Sequence, residues 1–184
     1  VVVVTGGGAS CVVTGGGGVL CGAMAEGLAA RGVRVAVLNR TLEKGERVAE
    51  RIRNAGGEAT AIACDVLSAE DLRRAREKVE ELYGSWDILI NGAGGNDPRA
   101  ATARETWEAA DAAGEGAAVA EEEAAAPGSF FALREEGFRA VFDLNFLGTF
   151  LTTQAFAAGM VGRKGATIIN VSSMGSFSPM TKGV

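Results

Sequence analysis

Residues 1–22 read VVVVTGGGASCVVTGGGGVLCG, and the phrase V-V-T-G-G-G occurs in them twice, at Val3–Gly8 and at Val12–Gly17. An apolar run followed by a glycine turn is typical of a strand that leads into a phosphate-binding loop, and such a loop needs a helix directly after it. After the first copy the chain returns to a strand-like run, whereas after the second it gives VLCGAMAEGLAARG, a helical pattern. The second copy is therefore predicted to be the working loop, and residues 1–10 an irregular leader without a predicted function.

Downstream of the loop, short β-branched runs alternate with longer segments of helical periodicity. Strict alternation predicts an α/β fold of the Rossmann type, a doubly wound parallel sheet in three α/β/α layers. The expected strand order is 3-2-1-4-5, with the ligand crevice between strands 1 and 4. The predicted strands are Cys11–Thr14, Val33–Leu38, Ala59–Ala63, Asp87–Asn91 and Ala166–Val171, and the predicted helices are Gly22–Ala30, Leu42–Ala55, Ser68–Tyr83 and Gly137–Met160.

An Ala/Glu-rich stretch at about residues 100–127 interrupts this alternation. Loops of this length inside compact domains are usually either functional or disordered. We expect an exposed insertion near the substrate entrance, with plain disorder as the alternative. Residues 11–184 are otherwise expected to form one nucleotide-binding domain that carries this insertion.

The composition narrows the function classes. The net charge is −5 and no basic block stands out, so neither nucleic acid nor an anionic membrane is an expected partner. No apolar run is long enough for a membrane helix. The three cysteines have no metal or redox spacing, which favours a reducing, cytoplasmic setting. The sequence contains no histidine, which excludes histidine ligands and histidine acid/base chemistry, and no metal site is predicted.

Four separated motifs make the chain, from Cys11 to its end, resemble the short-chain dehydrogenase/reductase family. The first is TGGGGVLCG at Thr14–Gly22, which is similar to the family pattern T-G-x-x-x-G-x-G. Val19 and Cys21 stand at its second and third glycine positions, and the adjacent Gly18 and Gly22 are expected to compensate. The resemblance implies that this loop binds the cofactor through Thr14, Gly15, Gly17, Gly18, Val19 and Leu20.

Two further motifs follow strands 3 and 4. The resemblance implies that Cys64, Asp65 and Val66 contact the adenine ring of the cofactor, while a turn or helix-capping role for the aspartate is the alternative. The sequence NGAG is similar to the family's N-N-A-G, whose backbone lies along the cofactor and steadies the central sheet. By this resemblance the cofactor is lined by Asn91, Gly92, Ala93 and Gly94.

The fourth motif pairs Asn145, in FDLNFLGTF, with Ser173, in IINVSSM. The resemblance implies that Ser173 hydrogen-bonds the substrate carbonyl or hydroxyl, with Ser172 as the fallback if the register is off by one. It implies that Asn145 shapes its helix and holds a water of a proton relay. A hydrogen-bonded core asparagine is the alternative reading of Asn145.

Family members transfer a hydride between a secondary alcohol and the nicotinamide, using the tyrosine and lysine of a Tyr-x-x-x-Lys motif for proton transfer. The one tyrosine of this chain is Tyr83, at the end of the helix before strand 4. We therefore expect the chain to stop before that motif and to act at most as a cofactor-binding fragment. A non-catalytic nucleotide-binding protein is the alternative, which a Tyr-x-x-x-Lys coded beyond Val184 would exclude. A methyltransferase-like domain is disfavoured by NGAG and by the Asn145/Ser173 pair.

The cofactor and substrate classes follow from finer details. An NAD-specific enzyme places an acid at the end of strand 2, where this chain has Asn39 followed by Arg40, and a cation there suits the extra phosphate of NADP. NADP is thus expected, with NAD possible and a solvated turn arginine as the alternative. The stretches NGAGGNDP, GFRAVFDLNFLGTF and INVSSMGSFSPMTK resemble the D-mannonate oxidoreductase (fructuronate reductase) type, although Asp97 stands where a histidine is expected. This implies a sugar-acid substrate and, in the full-length form, a homo-oligomer.

Overall fold

The structure is a computed structural model that describes residues 8–103 and 130–177. The chain divides into two compact units, one formed by Val1–Gly94 with Leu144–Val171 and the other by Gly95–Asp143 with Ser172–Val184. The first unit contains a five-stranded sheet in the order 3-2-1-4-5 with parallel pairing throughout, which confirms the predicted fold class. The strands are β1 (Ser10–Thr14), β2 (Arg34–Asn39), β3 (Ala59–Ala63), β4 (Ile88–Asn91) and β5 (Thr167–Asn170), and the helices are α1 (Val19–Ala29), α2 (Leu42–Asn54), α3 (Ala69–Tyr83), α4 (Glu135–Phe142) and α5 (Gly148–Ala157).

The sheet of the first unit is covered on both faces. One core contains side chains from α1 and α2 packed on the sheet, among them Ala25, Val48 and Ile52. The other contains side chains from α3 and α5, among them Val79 and Phe156. Because both faces are covered, β1 and β4 are buried at every position, and this explains why the middle residues of these strands are apolar rather than alternating.

Two helix starts show how local chemistry sets the boundaries. Helix α1 begins at Val19, three residues before the predicted start at Gly22, because Gly18 takes the extended N-cap conformation. Helix α3 begins after Ser68, whose Oγ accepts a hydrogen bond of 3.1 Å from the backbone N–H of Asp71. Ser68 is therefore the N-cap of α3.

The predicted helix Gly137–Met160 is wrong as a single regular element. The chain forms α4, then a π-helical turn at Asp143–Leu147, then α5, and finally a 3₁₀ turn at Ala158–Met160. Apolar periodicity did not reveal this change of helix type, because the π-helical turn spans only five residues within a longer helical segment. π-Helical turns inside helices occur frequently at functional sites, and this one contains Asn145.

The second unit is described in part. Helix α4 approaches a short 3₁₀ turn, Pro98–Ala100, so closely that a Cβ on Gly137 would lie 2.6 Å from the Cβ of Arg99. Asp97 precedes this turn and accepts hydrogen bonds from the Arg99 backbone N–H at 2.9 Å and from its guanidinium at 2.7 Å. These bonds hold the pKa of the Asp97 carboxyl at about 2. Residues 1–7 of the predicted leader and 104–127 of the predicted insertion lie outside the described residues.

Two properties of the described ranges, 8–103 and 130–177, bear on the class of protein. No helix in them is long and apolar enough to cross a membrane. Nor do three or more His, Cys, Asp or Glu side chains come together there as a possible metal site. The cysteines Cys11, Cys21 and Cys64 are free and buried.

Trp86 offers a test of the packing between the sheet and α5. Its Nε1–H donates to the Phe156 carbonyl at 2.9 Å and its ring meets the Phe156 ring edge-on with 5.5 Å between centroids, so it cannot move aside easily. A Cβ on Gly159 would lie 2.4 Å from Cζ2 of this tryptophan. We expect Gly159→Ala to lower the free energy of unfolding in urea by about 1–3 kcal/mol through overpacking.

The matched control is Gly27→Ala within α1, where the nearest atom to a new Cβ is Nη1 of Arg31 at 3.9 Å. Alanine is expected to stabilise that helix by up to about 1 kcal/mol because glycine is a poor helix former. Equal stability of the two variants would contradict the packing described for Trp86.

Candidate cofactor-binding site

Thr14, the last residue of β1, ties together the ends of the two central strands. Its Oγ accepts hydrogen bonds from the backbone N–H groups of Gly92 at 3.1 Å and Ala93 at 3.2 Å, and donates to the Ile90 carbonyl at 3.4 Å. Thr14 is 1% exposed, so its hydroxyl is shielded from bulk water. The loop after β1 and the turn after β4 are thereby joined at the point where the strand order reverses, which is where sheets of this type bind ligands.

Glycines are required in this loop for steric reasons. Gly15 has φ +64°, and a Cβ on it would lie 2.6 Å from the carbonyl oxygen of Gly92. A Cβ on Gly17 would lie 2.7 Å from the Cβ of Lys44, at the start of α2. The Gly18 N–H donates to the Gly15 carbonyl at 2.9 Å, and the loop then enters α1. The loop is thus compressed between the turn after β4 and the start of α2.

The amino end of α1 is suited to an anion. Its N-cap, Gly18, provides no side-chain hydrogen bond, and its first turn contains no acidic residue. The partial positive charge of a helix N-terminus and its unpaired N–H groups favour phosphate at such a position. Val19 and Leu20, in the same turn, are 91% and 67% exposed, which leaves apolar side chains beside the anion position for a ligand to cover.

Asn39 is the last residue of β2, where an acid is expected in an NAD-specific enzyme. Its Oδ1 accepts from the Gly17 N–H at 3.3 Å and its Nδ2 donates to the Thr41 carbonyl at 2.8 Å, so the amide connects the glycine loop to the turn before α2. Arg40 follows it and is exposed. Lys44 also lies beside the loop, because its Cβ is the atom nearest to the position that a Cβ on Gly17 would take. Sequence reasoning missed Lys44, although its position in the first turn of α2 was a usable signal.

Asp65 makes a turn after β3. Its Oδ1 accepts from the Leu67 N–H at 3.0 Å, and its own N–H donates to Oδ2 of Asp71 at 3.0 Å. That hydrogen bond is the main reason why the pKa of Asp71 is lowered. Cys64 and Val66 on either side are buried, and burial is the main cause that raises the pKa of the Cys64 thiol to about 12. The turn role that was the alternative for Asp65 is present; the adenine contact stays a prediction.

Asn91 joins three elements at the carboxyl end of β4. Its Nδ2 donates to Oγ1 of Thr153 in α5 at 2.9 Å and to Oδ1 of Asn170 in β5 at 2.8 Å. Asn91 is 3% exposed. The sequence did not single out Thr153 or Asn170, because nothing local marks a partner 62 or 79 residues away.

Asn145 lies against the turn that follows β4. A Cβ on Gly94 would lie 2.6 Å from Oδ1 of Asn145, so glycine at 94 leaves room for this amide. The Asn145 carbonyl accepts a hydrogen bond of 2.9 Å from Oγ1 of Thr149. The structure therefore brings Asn145 next to the predicted cofactor-lining segment.

Ser172 and Ser173 belong to the second unit and are exposed. Ser173 Oγ accepts from the Gly175 N–H at 3.1 Å, and the hydroxyls of Ser172 and Ser176 are 2.8 Å apart. Both predicted serines thus take part in a local turn, at the 3₁₀ segment Met174–Ser176. Their contacts with a substrate stay a prediction.

Tyr83 is excluded as an acid or base of this site. Its hydroxyl donates to the carbonyl of Val35, near the start of β2 and therefore at the opposite end of the sheet from the loop, at 3.1 Å. The guanidinium of Arg34 lies over its ring, 5.0 Å from the centroid. Burial raises the pKa of the phenol, so it has no tendency to ionise near neutral pH.

The strand order, the uncapped helix N-terminus and the Thr14 bridge at the strand reversal are the features of a Rossmann-type dinucleotide-binding domain. The chain belongs to the short-chain dehydrogenase family, whose model matches residues 9–184. It is 49% identical over 180 residues to the uncharacterised oxidoreductase UxuB of Bacillus subtilis, covering 98% of this chain and 56% of that protein. An uncharacterised oxidoreductase of Haemophilus influenzae is 40% identical over 181 residues, with 98% and 56% covered. The chain thus spans about half the length of these curated relatives.

Solved structures that resemble this chain include two with a bound nicotinamide cofactor. One is a provisionally assigned D-mannonate oxidoreductase from Haemophilus influenzae with bound NAD, 40% identical with a TM-score of 0.84, covering 96% of this chain and 59% of that one. The other is a metagenomic short-chain oxidoreductase in complex with NADP, 27% identical with a TM-score of 0.74, covering 96% and 67%. The family resemblance inferred from the sequence motifs is confirmed.

Thr14→Val tests the bridge between β1 and β4. The substitution keeps the side-chain volume but removes the acceptor of the half-buried N–H groups of Gly92 and Ala93, and a donor shielded from water costs about 1–3 kcal/mol when it has no partner. We expect the free energy of unfolding in urea to fall by about 2–4 kcal/mol. Thr14→Ser, which keeps the hydroxyl and loses one methyl group, is expected to lose only about 1 kcal/mol. If Thr14→Val lowered the free energy of unfolding no more than Thr14→Ser, the hydroxyl would not be what joins β1 to the turn after β4.

Proposed function

We propose that this chain binds a nicotinamide dinucleotide and belongs to an oxidoreductase that transfers a hydride between the nicotinamide and a secondary alcohol or ketone. The observation that carries the proposal is the uncapped N-terminus of α1, which opens beside the Thr14 bridge at the strand reversal. Bound there, the cofactor would supply the hydride chemistry, and the protein would supply binding and orientation.

In this proposal, different residues along the edge of the sheet contact different parts of the cofactor. Gly15, Gly17 and Gly18 allow the loop backbone to approach the pyrophosphate, which would meet the first N–H groups of α1. Val19 and Leu20 would be covered by the bound cofactor. Further along the sheet edge, the ribose of the adenosine would lie at Asn39 and Arg40, the adenine at Cys64, Asp65 and Val66, and the nicotinamide half along Asn91, Gly92, Ala93 and Gly94.

The proposed substrate is a sugar acid of the D-mannonate or D-fructuronate kind. Support comes from the motifs around Asn91, Asn145 and Ser173 and from the 40% identity to the provisionally assigned D-mannonate oxidoreductase. In this proposal Ser173 hydrogen-bonds the reacting oxygen, and Asn145 orients a water for proton transfer. A cytoplasmic location, which three free buried cysteines support, and a homo-oligomeric state are part of the same proposal.

Hydride transfer to a ketone also needs a proton donor near the reacting oxygen. The chain has no histidine, and its single tyrosine is the buried Tyr83. We therefore expect these 184 residues to bind the cofactor without reducing D-fructuronate above the background rate. NADPH and NADH consumption followed at 340 nm, alongside a binding titration, separates the two properties. Turnover at an ordinary enzymatic rate would refute the expectation.

The cofactor preference is a second test. Arg40, the exposed Lys44 and the absence of an acid at Asn39 favour the 2′-phosphate of NADP, whereas the 40% identical structure contains NAD. We expect NADPH to bind at least about tenfold more tightly than NADH, which corresponds to about 1.4 kcal/mol. Arg40→Ala is expected to remove most of that difference by weakening NADPH alone, because a guanidinium pairs well with phosphate.

Arg31→Ala is the matched control, since it removes the same charge just beyond the far end of α1. It should leave both dissociation constants unchanged. Tighter binding of NADH by the unmodified chain would assign NAD as the cofactor, and binding of neither nucleotide would overturn the proposed function.

A further inference from the structure

Cys21 and Gly92 contact each other across the site. A Cβ built on Gly92 would lie 2.1 Å from Sγ of Cys21 but 3.5 Å from its Cβ, which is ordinary van der Waals contact. The thiol is 3.8 Å from the Gly92 carbonyl oxygen, and Cys21 is 4% exposed. The sulfur therefore occupies the space that any side chain at position 92 would need.

We propose that Cys21 and Gly92 form a matched pair that sets the spacing between the first turns of α1 and the turn after β4. Cys21 is thereby a positioning residue for the phosphate-binding loop. The effect on cofactor binding rests on the proposed function, whereas the matched packing of the two residues does not.

The backbone does not require glycine at position 92. Gly92 is not among the described glycines with positive φ, in contrast to Gly15. The second close neighbour of a Cβ at 92 is the Thr14 carbonyl oxygen at 3.1 Å, a tight contact that a shift of a few tenths of an ångström relieves. The sulfur at 2.1 Å cannot be accommodated in that way, so Cys21 is the main reason why position 92 has no side chain.

The sulfur also has little freedom to move. Cys21 has a single side-chain torsion, and a helix disfavours one of its three rotamers. The side chain is packed into the core that α1 shares with β1 and β4. Rotation of the thiol away from position 92 would therefore drive it into neighbours that are already close-packed.

Both residues are among the positions at which this chain departs from the motifs that it resembles. Cys21 stands at the third glycine of T-G-x-x-x-G-x-G, and Gly92 stands at the second asparagine of N-N-A-G. Position 21 has a side chain where the motif has none, and position 92 has none where the motif has one. The two departures, 71 residues apart, lie at the same contact.

A displacement of Gly92 would reach the loop directly. Its N–H bonds to Thr14 Oγ at 3.1 Å, and its carbonyl oxygen lies against Gly15, where a Cβ would be 2.6 Å away. The same turn thus fixes both the last residue of β1 and the first glycine of the loop. A change in the Cys21–Gly92 spacing is expected to move the N–H groups that would meet the pyrophosphate.

A double-mutant cycle tests the pair with Gly92→Ala, Cys21→Ala and the double variant. Urea unfolding without nucleotide measures the packing of the pair. Fluorescence titration with NADPH and NADH measures positioning, and it is done without urea at a temperature well below the unfolding transition of every variant. We expect Gly92→Ala to weaken binding of the better nucleotide by at least about tenfold and to lower the unfolding midpoint. The double variant should return both values close to those of Cys21→Ala, because the two Cβ atoms then lie 3.5 Å apart.

Gly15→Ala, alone and with Cys21→Ala, is the control for general loosening of the loop. Its Cβ would meet backbone atoms of Gly92 rather than the thiol, so Cys21→Ala should not rescue it. If Gly92→Ala fails to fold, recovery of a folded protein in the double variant supports the pair, and failure of the double variant overturns it.

Additive effects in the unfolding cycle would overturn the matched packing. A folded Gly92→Ala protein with an unchanged dissociation constant would overturn the positioning role even if its stability fell. If the unmodified chain binds neither nucleotide, the proposed function and with it the positioning role fail, while the unfolding cycle still decides whether Cys21 and Gly92 are matched.

Discussion

The hydroxyl of Thr14 is the interaction on which the architecture of the site depends. Two parallel strands, β1 and β4, end side by side, and the chain must leave each of them in a different direction. One oxygen accepts both N–H groups of the turn after β4, from Gly92 and Ala93, and so fixes where that turn lies relative to the loop after β1. Gly15 then packs closely against the Gly92 carbonyl, and the loop places the N-terminus of α1 at the crevice between β1 and β4.

A second buried polar side chain joins neighbouring elements at the end of β4, the strand next to β1 in the sheet. Asn91 is almost as buried as Thr14, and its Nδ2 donates to Thr153 in α5 and to Asn170 in β5, so both hydrogens of the amide are paired at this edge. The carboxyl edge of the sheet is therefore held by side chains rather than by backbone pairing alone. That rigidity is what a binding site needs, since loops that carry function gain precision from the scaffold that positions them.

The sequence was sufficient for the strand order and for the choice between the two glycine copies, because both depend on local patterns: alternation, apolar runs, and a helix directly after the loop. It was not sufficient for contacts between distant segments. The partners of Asn91, the use of Asn39 to hold Gly17, and the Cys21–Gly92 contact depend on side chains that meet only in the folded sheet. The π-helical turn around Asn145 was missed for another reason, since it spans only five residues within a longer helical segment.

The contact between Cys21 and Gly92 also changes how the imperfect glycine loop is understood. Considered alone, Val19 and Cys21 look like losses from a motif that needs small residues. In the structure they have different consequences: Val19 points into solvent beside the anion position, whereas Cys21 is buried and faces a glycine where the motif has a side chain. The closeness of approach that a glycine at 21 would allow is recovered by the glycine at 92. A residue at a motif position is therefore better judged together with the residue that it contacts, by the side-chain volume that the two share, than by its own type alone.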